Sequence, residues 1–322
     1  MSNLFDTDIE GAKALVEKYN KLRQEIGKVI VGQNDIIHDT ILSIFCQGHV
    51  LLVGVPGLAK TLLVNTIGKA LGLSFNRIQF TPDLMPSDIV GTEILDESRQ
   101  FKFIKGPVFS NIVLADEINR TPPKTQAALL EAMQEKRITV SGKTYKLQEP
   151  FFVLATQNPI EQEGTYPLPE AQLDRFMFNL MLDYPSYEEE IDIVKNTTVG
   201  KEAEVDAVLS PEEILYFQQL IYRVPVPDNV YEYAVNLVAK TRPHTEKAHE
   251  WANRYLSWGA GPRASQYLII GAKANAILAG KYSPDIEDVQ RVAIPILRHR
   301  IIRNYTAEAE GISIENIIDA LK

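Results

Sequence analysis

The 322-residue sequence predicts an open parallel α/β sheet covered by helices, followed by a smaller all-helical domain. Three observations lead there. Short runs at 51–53, 112–115 and 152–155 are apolar throughout, as strands buried on both faces should be. Helical periodicities separate them, the rhythm of parallel strands joined by crossover helices. From Tyr187 the strand-like runs stop, and helical patterns with Pro and Gly connectors take over.

Each element has its own signal. Residues 8–28 place Ala12, Leu15, Val16, Tyr19, Leu22 and Ile26 near a 3.6-residue period, which predicts a helix. KVIVGQ (28–33) follows, then a helix to about Gln47. Val50–Val53 is a strand that Gly54 ends, and Gly54, Pro56 and Gly57 punctuate a turn. Lys60 and Thr61 open a helix that ends near Gly72. SFNRIQF (74–80) is a second strand. Segment 81–110 is rich in Pro and Asp and carries two alternating runs around the polar tip 96–100, so it reads as an insertion containing a hairpin. NIVLADEINR (111–120) is a strand ending in two acids. PPKTQAALLEAMQEKR is a helix with prolines at its start, where they are tolerated. ITVSGKTYKLQEP suggests a hairpin around Ser141, Gly142 and Lys143, and FFVLATQNP (151–159) another buried strand. LPEAQLDRF is a short helix and MFNLML (177–182) the last strand. Helices follow at 187–196, 211–221, 228–241, 263–279, 284–300 and 313–322. The expected domains are 1–184 and 185–322, joined at about Asp183–Ser186.

Composition narrows the classes. A net charge of -9 and a pI of about 5.2 argue against a general binder of nucleic acid or anionic membrane. The single cysteine, Cys46, lies in an apolar stretch and reads as a buried thiol, and it excludes a disulfide framework within the chain. The start, MSNLFDTDIEGAK, has acids and no apolar core of a signal peptide. No apolar run approaches the roughly 20 residues that span a bilayer, so a cytoplasmic protein is expected. The five histidines show no metal spacing, and no Ser/His/Asp arrangement is signalled.

GVPGLAKT (54–61) carries the chemistry. It is close to G-x-x-x-x-G-K-[ST], a loop whose backbone N–H groups and helix N-terminus hold a polyphosphate. Gly54, Val55, Pro56, Gly57, Leu58, Ala59, Lys60, Thr61 and Leu62 are the candidate binding residues. Lys60 would reach the terminal phosphates, and the Thr61 hydroxyl would sit on Mg²⁺. Ala59 stands where the pattern has Gly. It is tolerable with negative φ, as on entering a helix, and costly with positive φ.

Asp116 and Glu117 close a buried strand, where ligands of open α/β sheets gather. Asp116 suits Mg²⁺ held through water, and Glu117 suits orienting or deprotonating an attacking water. A helix cap with a first-turn acid is the plain alternative. Asn158 ends the next strand beside Thr156 and Gln157. It could bond a γ-phosphate or simply start a turn before Pro159. Arg175 could pair with Asp174 or cap its helix. Arg263 begins a helix, against the macrodipole, and makes more sense with an anion nearby. Ile30, Val31 and Gly32 are either core and turn or an apolar wall for adenine. Trp251, Tyr255 and Trp258 near Arg254 could form a partner surface, with core packing the plainer account.

With these parts in order, the chain resembles an AAA+ ATPase, and specifically the MoxR family. The resemblance rests on VIVGQ (29–33), GVPGLAKT, FTPDLMPSDIVG (80–91), LADEINR (114–120), ATQNP (155–159), YPLPEAQLDRF (166–176) and GPRAS (261–265), and it spans nearly the whole chain. The family also carries Ala at the position of Ala59. The resemblance implies a P-loop NTPase αβα core with strand order 5-1-4-3-2 and a helical lid, with ATP·Mg²⁺ bound between them. It implies that 81–110 is an insertion in helix 2 and that 137–149 is a hairpin before the strand of sensor 1. Asn158 then matches sensor 1 and Arg263 sensor 2. Arg175 matches an arginine finger acting in trans, for which Arg120 is the other candidate. Implied too are a homo-oligomer, by habit a hexameric ring, and chaperone-like work on proteins with von Willebrand factor A domains, to load or assemble their metal sites. Two other readings stay open: an ATP-driven motor on nucleic acid, and a nucleotide-dependent scaffold with little turnover.

Overall fold

The computed structural model describes residues 4–95, 97, 99–160, 164–198 and 203–322. Its chain divides into two compact units. One comprises Asn20–Arg175 with Leu180–Leu215. The other comprises the described residues up to Tyr19, the short piece Phe176–Asn179, and Tyr216–Lys322.

The first unit holds four strands of a five-stranded sheet whole and the last part of the fifth. In chain order its strands are β1 (Val50–Val53), β2 (Phe75–Gln79), β3 (Ile112–Asp116), β4 (Phe152–Gln157) and β5 (Phe178–Met181). Their spatial order is β2-β3-β4-β1-β5, the 5-1-4-3-2 order expected of the family. The pairings β1–β4, β3–β4 and β2–β3 are parallel, with Leu114 beside Leu154 and Gln79 beside Asp116. The three apolar runs seen in the sequence are the central strands, and Ile112 to Ala115 are wholly buried. Full burial of such side chains is worth about 1.5–3 kcal/mol each. It holds the strands in line, so the polar residues that follow each apolar run emerge together at the strands' carboxyl ends.

His49, just before β1, ties β4 to the helix Pro123–Glu135 from inside. It is buried, its Nδ1 accepts the Val153 N–H at 3.0 Å, and its Nε2 faces the Met133 carbonyl at 3.2 Å. The accepting Nδ1 places the ring proton on Nε2. Burial pushes the ring's pKa down to about 4, so it is neutral at pH 7. Cys46 is buried, as its apolar setting indicates, and burial drives its pKa far up.

The insertion holds the short helix Pro86–Val90 and the hairpin Gly91–Leu95/Phe101–Lys105. Part of the expected tip, Asp96 and Ser98, lies outside the described residues. The second hairpin, Arg137–Val140/Lys143–Lys146, turns through Ser141 (φ 49) and Gly142 (φ 76). Its Tyr145 stacks on Phe103 of the first hairpin at 4.2 Å between ring centres.

The second unit is helical, holding Asp228–Lys240, Pro262–Leu278 and Ile286–Leu297 whole and Pro211–Arg223 from Tyr216 on. It also holds a two-stranded ribbon, Leu256–Trp258 with Ile302–Arg303, too short to leave a periodic signal. That ribbon separates the aromatic cluster. Tyr255 is buried, with Trp251 set edge-on to it at 5.2 Å, as core packing would have it. Trp258 departs from that expectation and stands 69% exposed. Among the described residues, no helix is long and apolar enough to cross a membrane, and no group of three or more His, Cys, Asp or Glu could hold a metal.

Candidate functional site

A cavity of about 440 Å³ opens at the carboxyl ends of the strands, lined by residues 56–62 together with Asp116, Glu117 and Asn158. Three separate sequence motifs therefore meet at one place. Each arrives from a different strand: the loop from β1, the acids from β3, Asn158 from β4.

The loop leads into the helix Lys60–Ala70. Lys60 lies in the cavity wall and its Nζ donates to the Gly54 carbonyl, which folds the side chain back over its own loop. Partial burial lowers the Lys60 pKa, and the Asp116 and Glu117 carboxylates oppose that shift. Ala59 is the N-cap of this helix at φ 53, ψ 28. The tolerable case, negative φ on entering the helix, is not what the chain adopts. The chain enters the helix through a left-handed residue, and Ala59 bears the roughly 1–2 kcal/mol that this conformation costs an L-residue. Gly54 is fixed differently: an added Cβ would lie 2.8 Å from the Leu182 Cβ.

The two acids are held by a ladder of bonds across β2, β3 and β4. Thr156 is fully buried, and its hydroxyl donates to Asp116 Oδ1 at 2.6 Å while accepting the Glu117 N–H at 2.8 Å. Arg77 donates to Asp116 Oδ2 through Nε at 3.0 Å and Nη2 at 2.6 Å. Its Nη2 also meets Gln79 Oε1 at 2.5 Å, and Gln79 Nε2 donates to Glu117 Oε2 at 2.8 Å. Arg120 Nη1 reaches the same Glu117 oxygen at 3.0 Å. Glu117 itself sits at φ 57, ψ 50, just beyond the end of β3. A non-glycine residue held there signals local strain, of a kind that clusters at functional sites.

Sequence reasoning gave Arg77 and Gln79 no part, and Thr156 no specific one. The signal was present: Arg77 and Gln79 alternate along β2, so both project from one face. What was absent was the register: the expected strand order sets β2 beside β3 but does not bring Gln79 opposite Asp116.

The remaining candidates separate. Asn158 is largely buried, and its Oδ1 accepts the Ile160 N–H at 3.1 Å, so it starts a turn as well as lining the cavity. Arg175 lines a different groove of about 740 Å³, with Glu131, Glu135 and Arg137. Ile30, Val31 and Gly32 are not lining residues of the 440 Å³ cavity; Gly32, at φ 68, has the Glu189 carboxylate packed against it. Arg263 lies in the helix Pro262–Leu278 of the other unit.

Comparison with known proteins follows the same lines. Residues 49–178 match the ATPase family associated with various cellular activities (AAA), and residues 248–321 match the AAA lid domain. The chain is 44% identical over 300 residues to the uncharacterised protein YeaC of Bacillus subtilis, covering 92% of this chain and 91% of that one. It is 42% identical to Chaperone MoxR1 of Mycobacterium tuberculosis, covering 96% and 82%. A crystal structure of a presumed ATPase from Cytophaga hutchinsonii superposes with a TM-score of 0.90 at 46% identity, covering 97% of this chain and 95% of that one.

Proposed function

The chain belongs to the MoxR family of AAA+ ATPases, and on that premise we propose that it hydrolyses ATP to ADP and phosphate to remodel or assemble partner proteins. One observation carries the reading: the phosphate-type loop, the Asp116–Glu117 pair and Asn158 line a single cavity.

The residues suit the roles. The loop's N–H groups and the helix N-terminus cradle the phosphates, and the Lys60 ammonium offsets β/γ charge. The Thr61 hydroxyl and the Asp116 carboxylate are hard oxygen donors in the same wall, the donor type that Mg²⁺ takes. Bound there, Mg²⁺ would neutralise charge on the nucleotide's phosphates. Glu117 orients the attacking water and accepts its proton. Asn158 reads the γ-phosphate, as does Arg263. Arg175 of a neighbouring copy stabilises the charge of the loose phosphoryl transition state, where such an arginine is worth about 10³–10⁵ in rate. A head-to-tail contact of that kind closes into a ring when the rotation permits, here a hexamer. The clients are proteins with von Willebrand factor A domains, whose metal sites the ATPase helps to load or assemble. The name of the relative Chaperone MoxR1 supports the chaperone part of this reading.

Glu117→Gln tests the core of it. The variant should keep nucleotide affinity and lose turnover by about 10²–10⁴-fold. Full turnover would remove Glu117 from the mechanism. The same variant, held with ATP and used as bait, should retain proteins that share a von Willebrand factor A domain. A retained set without such domains would refute the client assignment.

A further inference from the structure

We propose that Arg77 determines which divalent cation the site accepts, by withholding one oxygen of Asp116 from it. The inference rests on the reading of Asp116 as the metal-facing carboxylate, and on its meeting the cation directly rather than through water.

A carboxylate has two oxygens and about four acceptor positions. Asp116 Oδ2 receives two N–H bonds from Arg77, at 3.0 Å and 2.6 Å, which fills both of its positions. Oδ1 receives the Thr156 hydroxyl at 2.6 Å and keeps one position open. Neither partner is loose. Thr156 is braced by the Glu117 N–H, and Arg77 by Gln79 Oε1. Gln79 lies beside Asp116 in the parallel register and Arg77 two residues back on the same face, so β2 presents both to the acid. Asp116 therefore offers a cation one acceptor position, on one oxygen.

The two common cations use carboxylates differently. Ca²⁺ takes 6–8 oxygen ligands and often grips a carboxylate by both oxygens. Mg²⁺ demands near-octahedral geometry, keeps several waters, and is satisfied by one oxygen at a time. A carboxylate with Oδ2 saturated serves the second habit and denies the first. The guanidinium's charge also repels any nearby cation, but it repels two ions of equal charge nearly alike, so it drops out of their ratio. The claim accordingly concerns the Ca²⁺/Mg²⁺ ratio and not the absolute affinity. The Arg77 side chain is 46% exposed and that of Asp116 13%, so trimming Arg77 uncovers Oδ2 and removes little core.

The test uses the full chain as wild type, Arg77→Ala and Arg77→Lys. Calorimetry follows binding of a non-hydrolysable ATP analogue with Mg²⁺ or Ca²⁺ as the sole divalent cation. Wild type should bind the analogue more tightly with Mg²⁺. Arg77→Ala should move the Ca²⁺/Mg²⁺ affinity ratio toward Ca²⁺ by about tenfold, the low end of what a partner of a ligating carboxylate controls. Arg77→Lys should fall between, because an ammonium fills one of the two positions. Equal weakening with both ions in Arg77→Ala would make Arg77 a mere support, and equal strengthening a mere counter-charge; either result overturns the proposal. If wild type binds the analogue without regard to metal, the metal-facing reading of Asp116 fails, and the proposal falls with it. That failure is recognisable because the Arg77 variants then match wild type in both ions.

Discussion

Replacing Thr156 by Val keeps the side chain's shape and deletes the one oxygen that serves both acids. Thr156 is fully buried, so no water stands ready to take the place of its hydroxyl. Two bonds disappear: the donation to Asp116 Oδ1 at 2.6 Å and the acceptance of the Glu117 N–H at 2.8 Å. A hydrogen bond to a charged group contributes roughly 1.5–3 kcal/mol and a neutral one about 1, so the loss should come to about 3 kcal/mol. The second bond also restrains Glu117, which sits at φ 57 against a preference of about 1–2 kcal/mol for other backbone regions. Without it the residue relaxes and the carboxylate moves. Turnover should fall about 10²-fold, the usual effect of a misplacement near 1 Å. Nucleotide affinity should change little, because Lys60 and its loop are untouched. Thr156→Ser is the control. It keeps the hydroxyl, loses one methyl, and should cost about 1 kcal/mol with turnover nearly intact. Urea unfolding and phosphate release at saturating ATP provide the two readouts. A Val variant as stable and active as wild type, or a Ser variant worse than Val, would refute the account of how the acids are held.

Three more outcomes follow from named contacts. Because burial holds the His49 pKa at about 4, below the ordinary 6.5, the folded state resists a proton that the unfolded chain accepts. Its stabilisation is complete above pH 6.5 and is lost as the pH falls toward 4, by roughly 3 kcal/mol in all. Urea midpoints should drop across that window while the His49 ring stays neutral by NMR at pH 5.5; a ring titrating near 6.5 would contradict this. Ala59→Val places a β-branched residue at φ 53 and should cost more than about 2 kcal/mol, whereas Ala59→Gly should be neutral or slightly stabilising. Equal thermal midpoints for Val and Ala would show that the loop does not hold this conformation in solution. Finally, Arg175→Ala subunits mixed with Lys60→Ala subunits should recover part of the hydrolysis that each lacks alone. Its absence in confirmed mixed assemblies would exclude Arg175 as a trans-acting finger.

How much of this was legible beforehand depended on the range of the signal. The central strands were plain because Ile112–Ala115 and Val153–Ala155 are apolar without interruption, which only burial on both faces explains. The loop and the acids were plain because their spacing is local. Arg77 was not, because its meaning depends on its register against a strand 35 residues further on, which strand order alone does not give. The ribbon of Leu256–Trp258 and Ile302–Arg303 was hidden for the same reason, being two short pieces joined across a long interval. Ala59 shows a third limit. Residue identity argued for an ordinary helical φ, and the demands of the loop overrode it at φ 53.

A loop built to attract phosphate beside two adjacent carboxylates is an electrostatic conflict, because the acids repel what the loop is shaped to hold. The contacts show how the conflict is eased. Arg77 takes Asp116, and Arg120 with Gln79 takes Glu117, so each acid is met by a guanidinium of its own. Lys60, bonded to a neutral carbonyl of its loop, is thereby left to answer an incoming anion. Exposed ion pairs of this sort contribute little to stability, about 0–1 kcal/mol, and both arginine side chains are substantially exposed, at 46% and 40%. Stability is therefore a weak reason for their placement. Their stronger effect is on geometry: Arg77 restricts Asp116 to one open acceptor position, and Arg120 with Gln79 fixes Oε2 of Glu117. What remains unclaimed by these contacts is Oε1 of Glu117, on a residue that lines the same cavity as Lys60. Under the proposed function that oxygen is the proton acceptor for water, and the arginines leave it open by occupying the others.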